Sequence, residues 1–299
     1  MAEKLSMSAT PPDLADFRRR VDEIDERIHD LIIERAAVVG QIAASKSGSG
    51  IGYYQPGREA EILRRLAARH RGALPVASVL RIWRELLAAT VRIETPFAIA
   101  VFAPAEMPGF WDLARDHYGS HAPMTAYRST GQVIRAVALG QVAAGILPMP
   151  HQGDPDPWWR HLVSHNSTAP RVIARLPFAG RGNARSDGGD ALVIGHVAQV
   201  ATGADRTLFA AEATAGISRA RFLALLAKAE LRCTFLASCE HASSTLNLVE
   251  VDGFVKNCDP RMASFCAELG AGLSRLVPFG GYALPLPAAA PTAGGADPA

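Results

Sequence analysis

The chain has 299 residues, 48% of them hydrophobic, and sets 31 Lys and Arg against 29 Asp and Glu for a formal net charge of +2. Basic residues are mixed with acidic ones rather than collected in runs, which argues against a nucleic-acid partner, and no apolar stretch of about 20 residues offers a membrane span. The four cysteines form no C-x-x-C pair and the first 13 residues lack a signal-peptide core, so a cytoplasmic protein of two or three domains is expected.

The first predicted element is a long helix over 12–45. Leu14, Phe17, Val21, Ile24, Ile28, Leu31, Ile32, Val38, Val39 and Ile42 recur at three- and four-residue steps, one apolar stripe on a rod about 50 Å long. A compact domain of this size cannot bury such a rod alone. Arg35 and Lys46, eleven residues apart, return to nearly the same face about 16 Å apart and can bracket a small polyanion. Arg18 lies roughly 25 Å from Arg35 along the axis and about 100° round it. If all three serve one ligand, Arg18 comes from another chain, which points to an intertwined dimer with two equivalent sites.

A flexible Ser/Gly loop at 47–52 then leads through Tyr53, Tyr54 and Gln55 to a second helix with Pro56 in its first turn. Arg58 and Glu59 sit at this loop-to-helix junction, a place suited to closing over a ligand. A third helix over 76–94 carries Val79, Ile82, Trp83, Leu86, Leu87 and Val91 as its stripe, with Thr90 and Glu94 as i, i+4 neighbours.

The order of Arg18, Ile24-Asp25-Glu26-Arg27-Ile28, Glu34-Arg35, Lys46, Pro56-Gly57-Arg58-Glu59-Ala60-Glu61 and Ile82-Trp83-Arg84-Glu85-Leu86 resembles the all-helical chorismate mutase family over 12–95. The resemblance implies a homodimer in which Arg18 crosses the interface and, with Arg35, holds the two carboxylates of chorismate. Arg58 would orient the substrate, Glu59 would bond its hydroxyl, Thr90 would add a polar contact, and Lys46 and Glu94 would flank the ether oxygen. Gln55 stands where some relatives have a carboxylate and takes a supporting role. Lys46, Glu94 and Arg35 are the expected catalytic residues. Conversion of chorismate to prephenate is a concerted rearrangement, so no nucleophile, metal or cofactor is expected. Catalysis comes from holding the reactive conformer and from donors aimed at the ether oxygen. A guanidinium suits the first task because it grips a carboxylate through two parallel bonds. Glu94 donates to that oxygen only when protonated, which a dry site favours. Isochorismate-pyruvate lyases share the scaffold and much of the basic site, but the complete Arg58-Glu59 junction favours the mutase.

Beyond Glu94 the helical period stops. Strands are expected over 97–102, 124–127, 143–147, 171–176 and 191–197, with helices over 109–118 and 131–139, an α/β layer with a partly parallel sheet. From 206 the order becomes strand 207–212, helix 218–230, strand 232–236, strand 246–255, helix 260–274 and strand 276–284, a ferredoxin-like βαββαβ pattern. The domains expected are helical over 12–95, α/β over 96–203 and βαββαβ over 204–286, with a disordered Ala/Pro/Gly-rich tail over 287–299.

The last two regions resemble a shortened prephenate dehydratase followed by the regulatory ACT domain of the bifunctional chorismate mutase-prephenate dehydratases. Departures are as informative as matches. Pro148-Met149-Pro150-His151-Gln152 stands where that family carries Pro-Ile-Glu-Asn-Ser, and its Thr-Arg-Phe motif is replaced around Asp190-Ala191-Leu192. No dehydratase activity is therefore expected. Ala215-Gly216-Ile217 and Cys239-Glu240-His241 occupy the places of effector-binding motifs, so phenylalanine inhibition is not expected either. His151, His161 and His165 lack the glutamate of a zinc-protease pattern, and Gly180-Arg181-Gly182 lacks a dinucleotide fingerprint and reads as a loop.

Two classes of function compete. One is a chorismate mutase of aromatic amino-acid biosynthesis, on the shikimate pathway toward phenylalanine, with a catalytically silent C-terminal region. The other is a non-enzymatic aromatic amino-acid sensor whose helical third only dimerises. A dimeriser would have no need of Arg18, Arg35, Lys46, Arg58, Glu59 and Glu94, so the first is the expectation.

Overall fold

The computed structural model describes residues 13–46, 52–166, 168–185, 189–241 and 243–287. The first 12 residues, nearly all of the expected Ser/Gly loop and the 288–299 tail lie outside the described residues. The chain divides into two compact units, one ending at Tyr53 and the other beginning at Tyr54.

The first unit is built on helix α1 (Leu14–Lys46), whose Asp16 in the first turn and Lys46 in the last complement the helix dipole. The apolar stripe is as expected, yet α1 contains no buried residue. Leu14, Phe17 and Leu31 are 59%, 57% and 61% exposed, and Val21, Ile28 and Val38 are open as well. A row of large apolar side chains of this length exceeds what an isolated soluble chain ordinarily leaves in water.

The second unit opens with α2 (Pro56–Arg69) and α3 (Val76–Glu94). Their buried faces meet in one cluster of Ala60, Leu63, Leu80 and Leu87, which also takes in the distant Phe178. Arg64 of α2 fastens this pair to the rest of the unit, donating to Thr202 Oγ1 at 2.8 Å and to the carbonyls of Ala204 and Leu284 at 2.7 Å each. Helices α2 and α3 are thus part of the same packed body as the sheet.

That body follows the order β1 (Ile99–Phe102), α4 (Gly109–Tyr118), β2 (Met124–Tyr127), α5 (Thr130–Ala138), β3 (Ala144–Pro148), β4 (Arg171–Leu176), β5 (Ala191–Gly195), β6 (Asp205–Thr214), α6 (Arg219–Lys228), β7 (Cys233–His241), β8 (Ser244–Asp252), α7 (Pro260–Leu269) and β9 (Leu273–Ala283). One sheet runs β2-β1-β3-β5-β4-β9-β6-β8-β7. Strands β2, β1 and β3 are parallel, whereas β5 turns antiparallel to β3 and β4. The mixed α/β layer therefore agrees with the expected partly parallel sheet. The last four strands form an antiparallel β9-β6-β8-β7 sheet, the ferredoxin-like arrangement of a βαββαβ unit.

The two halves of the sheet join where β4 meets β9 in parallel at Val172 and Gly280. Gly280 has φ +96, and a Cβ there would lie 2.2 Å from the Val172 carbonyl oxygen, so only glycine admits the seam. Trp158, Trp159 and Leu162, on a short 3-10 turn with no marked period in sequence, lie buried in the core spanning both halves.

Helix bounds follow local chemistry. Ser129 caps α5 in a capping box with Gln132, and Ser218 accepts from the Arg221 amide at the start of α6. The expected helix over 260–274 ends instead at Leu269, because Gly270 takes φ +52 and lets the chain leave the helix. Strand β7 runs on to His241, beyond the expected end at 236, because it pairs with β8 to Ser244. Among the described residues no helix is long and apolar enough to cross a membrane, and no cluster of three or more metal-ligating side chains occurs.

Candidate active site

The candidate residues are shared between the two units. On α1, Arg18 is exposed, Arg35 and Lys46 are half-buried, and partial burial draws the Arg35 guanidinium below its ordinary value. Lys46 stands with its Nζ 5.9 Å from the centre of the Tyr53 ring, a cation–π contact that steadies the end of the helix.

The others lie at the start of α2 and the end of α3. Gln55 is the residue before α2, with φ −133 and no capping bond from its side chain. Arg58 is exposed and pairs with Glu61 one turn on, at 2.9 Å. Thr90 is buried and donates to the carbonyl of Leu87 in its own helix at 2.9 Å. Glu94 is the last residue of α3 and half-buried.

Glu59 has the most developed surroundings. It is 9% exposed and accepts from Arg84 Nη1 at 2.9 Å, and Arg84 is itself 5% exposed. The Arg84 guanidinium lies 5.0 Å from the centre of the Phe178 ring. Burial pushes the Glu59 carboxyl above its ordinary value, and Arg84 opposes the shift. Beside the pair, the hydroxyls of Tyr54 and Tyr118 stand 3.0 Å apart, and burial raises both phenols. His117 packs edge-on to Tyr118 at 4.6 Å, and burial draws its imidazole well below 6.5. Two charged and three polar side chains from α2, α3, α4 and the segment before α2 thus form one buried cluster. A carboxylate held in so dry a setting is a strong hydrogen-bond acceptor once a guanidinium balances it.

Arg84 belongs to the Ile82-to-Leu86 motif but is not among the expected site residues, and neither are Tyr118 and His117. A signal for Arg84 existed: it sits between Leu80 and Leu87 on the buried stripe of α3, at the i+4 and i−3 places. A cation on an apolar stripe calls for a buried anion. Which anion it meets follows only from how α2 lies against α3.

The segment from Arg18 to Glu94 therefore carries every candidate residue. Residues 17–95 match the chorismate mutase type II family. The chain is 30% identical over 138 residues to the bifunctional chorismate mutase/prephenate dehydratase of Pseudomonas aeruginosa, covering 44% of this chain and 38% of that one. The enzyme of the same name from Neisseria gonorrhoeae is 35% identical over 91 residues, 30% of this chain and 25% of the relative. Thus the chain spans less than two fifths of the length of these relatives. Among solved structures, a prephenate dehydratase from Arthrobacter aurescens in complex with L-Phe is similar at 12% identity and a TM-score of 0.45, over 64% of this chain and 93% of that one. The chorismate mutase match ends at residue 95, where α3 gives way to β1.

Proposed function

We propose that this chain is a chorismate mutase, converting chorismate to prephenate. The observation that carries the reading is the family match over 17–95, which contains all eight candidate residues in order. Two copies of α1 cross, each covering the other's apolar stripe, and Arg18 of one copy completes the site of the other. The exposure of that stripe supports such a dimer.

In this site Arg18 and Arg35 hold the two carboxylates and fold the enolpyruvyl side chain over the ring. Arg58 orients the substrate and Thr90 adds a polar contact, with Gln55 in support. Glu59 accepts from the substrate hydroxyl. Arg84 is a positioning residue: its bond to Glu59 aims the carboxylate and balances its charge. As the ether bond breaks, negative charge gathers on its oxygen, and Lys46 donates to it with Glu94 alongside. No covalent intermediate forms.

The α/β region is catalytically silent, and the βαββαβ unit is an ACT-like domain that does not respond to phenylalanine. Support for silence comes from the two departures in sequence, which lie together in the fold. Pro148 pairs with Ala191, and the cavity of about 630 Å3 at the carboxyl ends of the parallel strands is lined by Met149, Pro150, His151 and Asp190. Arg175 and Arg181 bind Asp190 there at 2.8 and 3.1 Å. The relatives named above carry both activities in their names, so a bifunctional enzyme is the second reading.

One assay separates them. Purified protein is given chorismate, its absorbance is followed, and the product is examined before any acid treatment. Prephenate alone supports the mutase with a silent partner. Phenylpyruvate would establish the bifunctional reading, and unchanged chorismate would end both.

A further inference from the structure

The α/β region grips the α2–α3 pair close to the candidate residues. Gly57, directly before Arg58 and Glu59, lies against the segment after β5, so that a Cβ there would stand 2.7 Å from Val200 Cγ2 and 3.1 Å from Thr202 Cγ2. Tyr54, just ahead of α2, packs edge-on to Phe97 at 4.8 Å, and its hydroxyl meets that of Tyr118 on α4. On α3, Arg81 donates to Asp116 Oδ1 at 2.5 Å, and Glu85 accepts from the Ser120 amide at 3.0 Å.

Arg84 stands between these anchors. A guanidinium has five N–H donors, yet its one protein hydrogen bond among the described residues is to Glu59. A cavity of about 390 Å3, lined by Arg84, Asp116, His117 and Phe178, opens beside it. Packing on that side therefore leaves the long side chain room to turn away from Glu59. What faces it is the buried ring of Phe178, whose centre is 5.0 Å from Arg84 Cζ. Attraction between the cation and the ring holds the guanidinium in one place.

We propose that the α/β region, silent in its own cavity, serves as the scaffold of the mutase site, and that Phe178 is a positioning residue: it fixes Arg84, which aims Glu59 at the hydroxyl of chorismate. This inference rests on the mutase reading above. It gives the α/β region a part in a reaction whose substrate it does not touch.

Steady-state kinetics on chorismate with the full chain tests it. Phe178→Leu keeps an apolar side chain but loses the ring face. It should raise KM about fivefold or more and leave kcat within about twofold of the parent, because the hydroxyl contact is made in ground state and transition state alike. Phe178→Tyr keeps the ring and has the cavity beside it for the added hydroxyl, so it should recover most of that KM. In a Glu59→Gln background, Phe178→Leu should add less than about twofold, since both changes act through one contact. A general loss of packing would instead lower kcat with the fraction folded and add in full to Glu59→Gln. Should the leucine variant not fold, Phe178→Met gives the same comparison with a side chain that fills gaps more readily. An active parent whose KM is unmoved by losing the ring, or effects that add in full, refutes the scaffold and leaves the mutase reading standing. A parent that does not consume chorismate refutes the mutase reading and this inference with it.

Discussion

Replacing Arg84 by methionine removes the cation from a buried pair and keeps most of the side-chain volume. Glu59 is then a carboxylate that is 9% exposed with no guanidinium beside it. Leaving one partner of such a pair charged costs about 3–5 kcal/mol. Glu59 has an escape, because it can take a proton. From an ordinary value of 4.5, neutralising it at pH 7 costs about 1.36 kcal/mol for each pH unit, or about 3.4 kcal/mol in all. At pH 5 the same route costs only about 0.7 kcal/mol. Loss of the contact with Phe178 adds about 0.5–1 kcal/mol at any pH.

The sign follows from linkage. A carboxyl whose folded value is raised holds its proton longer in the folded state, so stability falls as pH rises from the unfolded value toward the folded one. Burial already raises Glu59 in the parent protein, and removing Arg84 removes the influence that opposed it. The deficit of Arg84→Met should therefore be about 4 kcal/mol at pH 7 and about 1–2 kcal/mol at pH 5. Arg84→Met with Glu59→Gln should recover most of the pH 7 loss. Urea unfolding of the three proteins at both pH values reads this directly. A deficit equal at pH 5 and pH 7, or a double variant no more stable than Arg84→Met, would refute the account of the pair.

The remaining expectations concern the site, the assembly and acid stability. Lys46→Ala should reduce chorismate turnover by about 100-fold or more while circular dichroism and oligomeric state stay unchanged, since a donor to the breaking ether bond is lost; full activity would refute its role. Leu31→Glu, at a 61% exposed position of α1, should convert the dimer to monomer by light scattering and abolish turnover, because Arg18 leaves the site; an active monomer would end the crossed-helix account. Arg185 hydrogen bonds hold Asp112 below 3.8, so this group stabilises the fold above that value and its contribution is lost as pH falls through the folded one. Asp112→Asn should be less stable than the parent at pH 7 and lose less on acidification toward pH 3; parallel acid transitions would count against it.

The period of α1, the alternation of strands and helices after Glu94, and the βαββαβ order were legible because each is written locally, whereas the stripe expected on α3 was legible only in part: Leu87 and Val91 are buried, but Ile82 is 54% exposed and Leu80 and Arg84 take the buried face. The order of Arg18, Arg35, Lys46, Arg58, Glu59, Thr90 and Glu94 was legible for a related reason: helix geometry turns spacing into direction. Joining the two halves of the sheet at Val172 and Gly280 was not legible, since a pairing between residues more than a hundred positions apart leaves no mark in either segment. Nor was the packing of α2 and α3 with the sheet, which rests on Arg64 reaching three acceptors from distant turns. Residue spacing limits which side chains can face one another along a helix or strand. That Glu59 meets Arg84 and that Arg84, Asp116 and His117 share a cavity follows from packing alone, because burial and partner choice arise when separate elements exclude water between them.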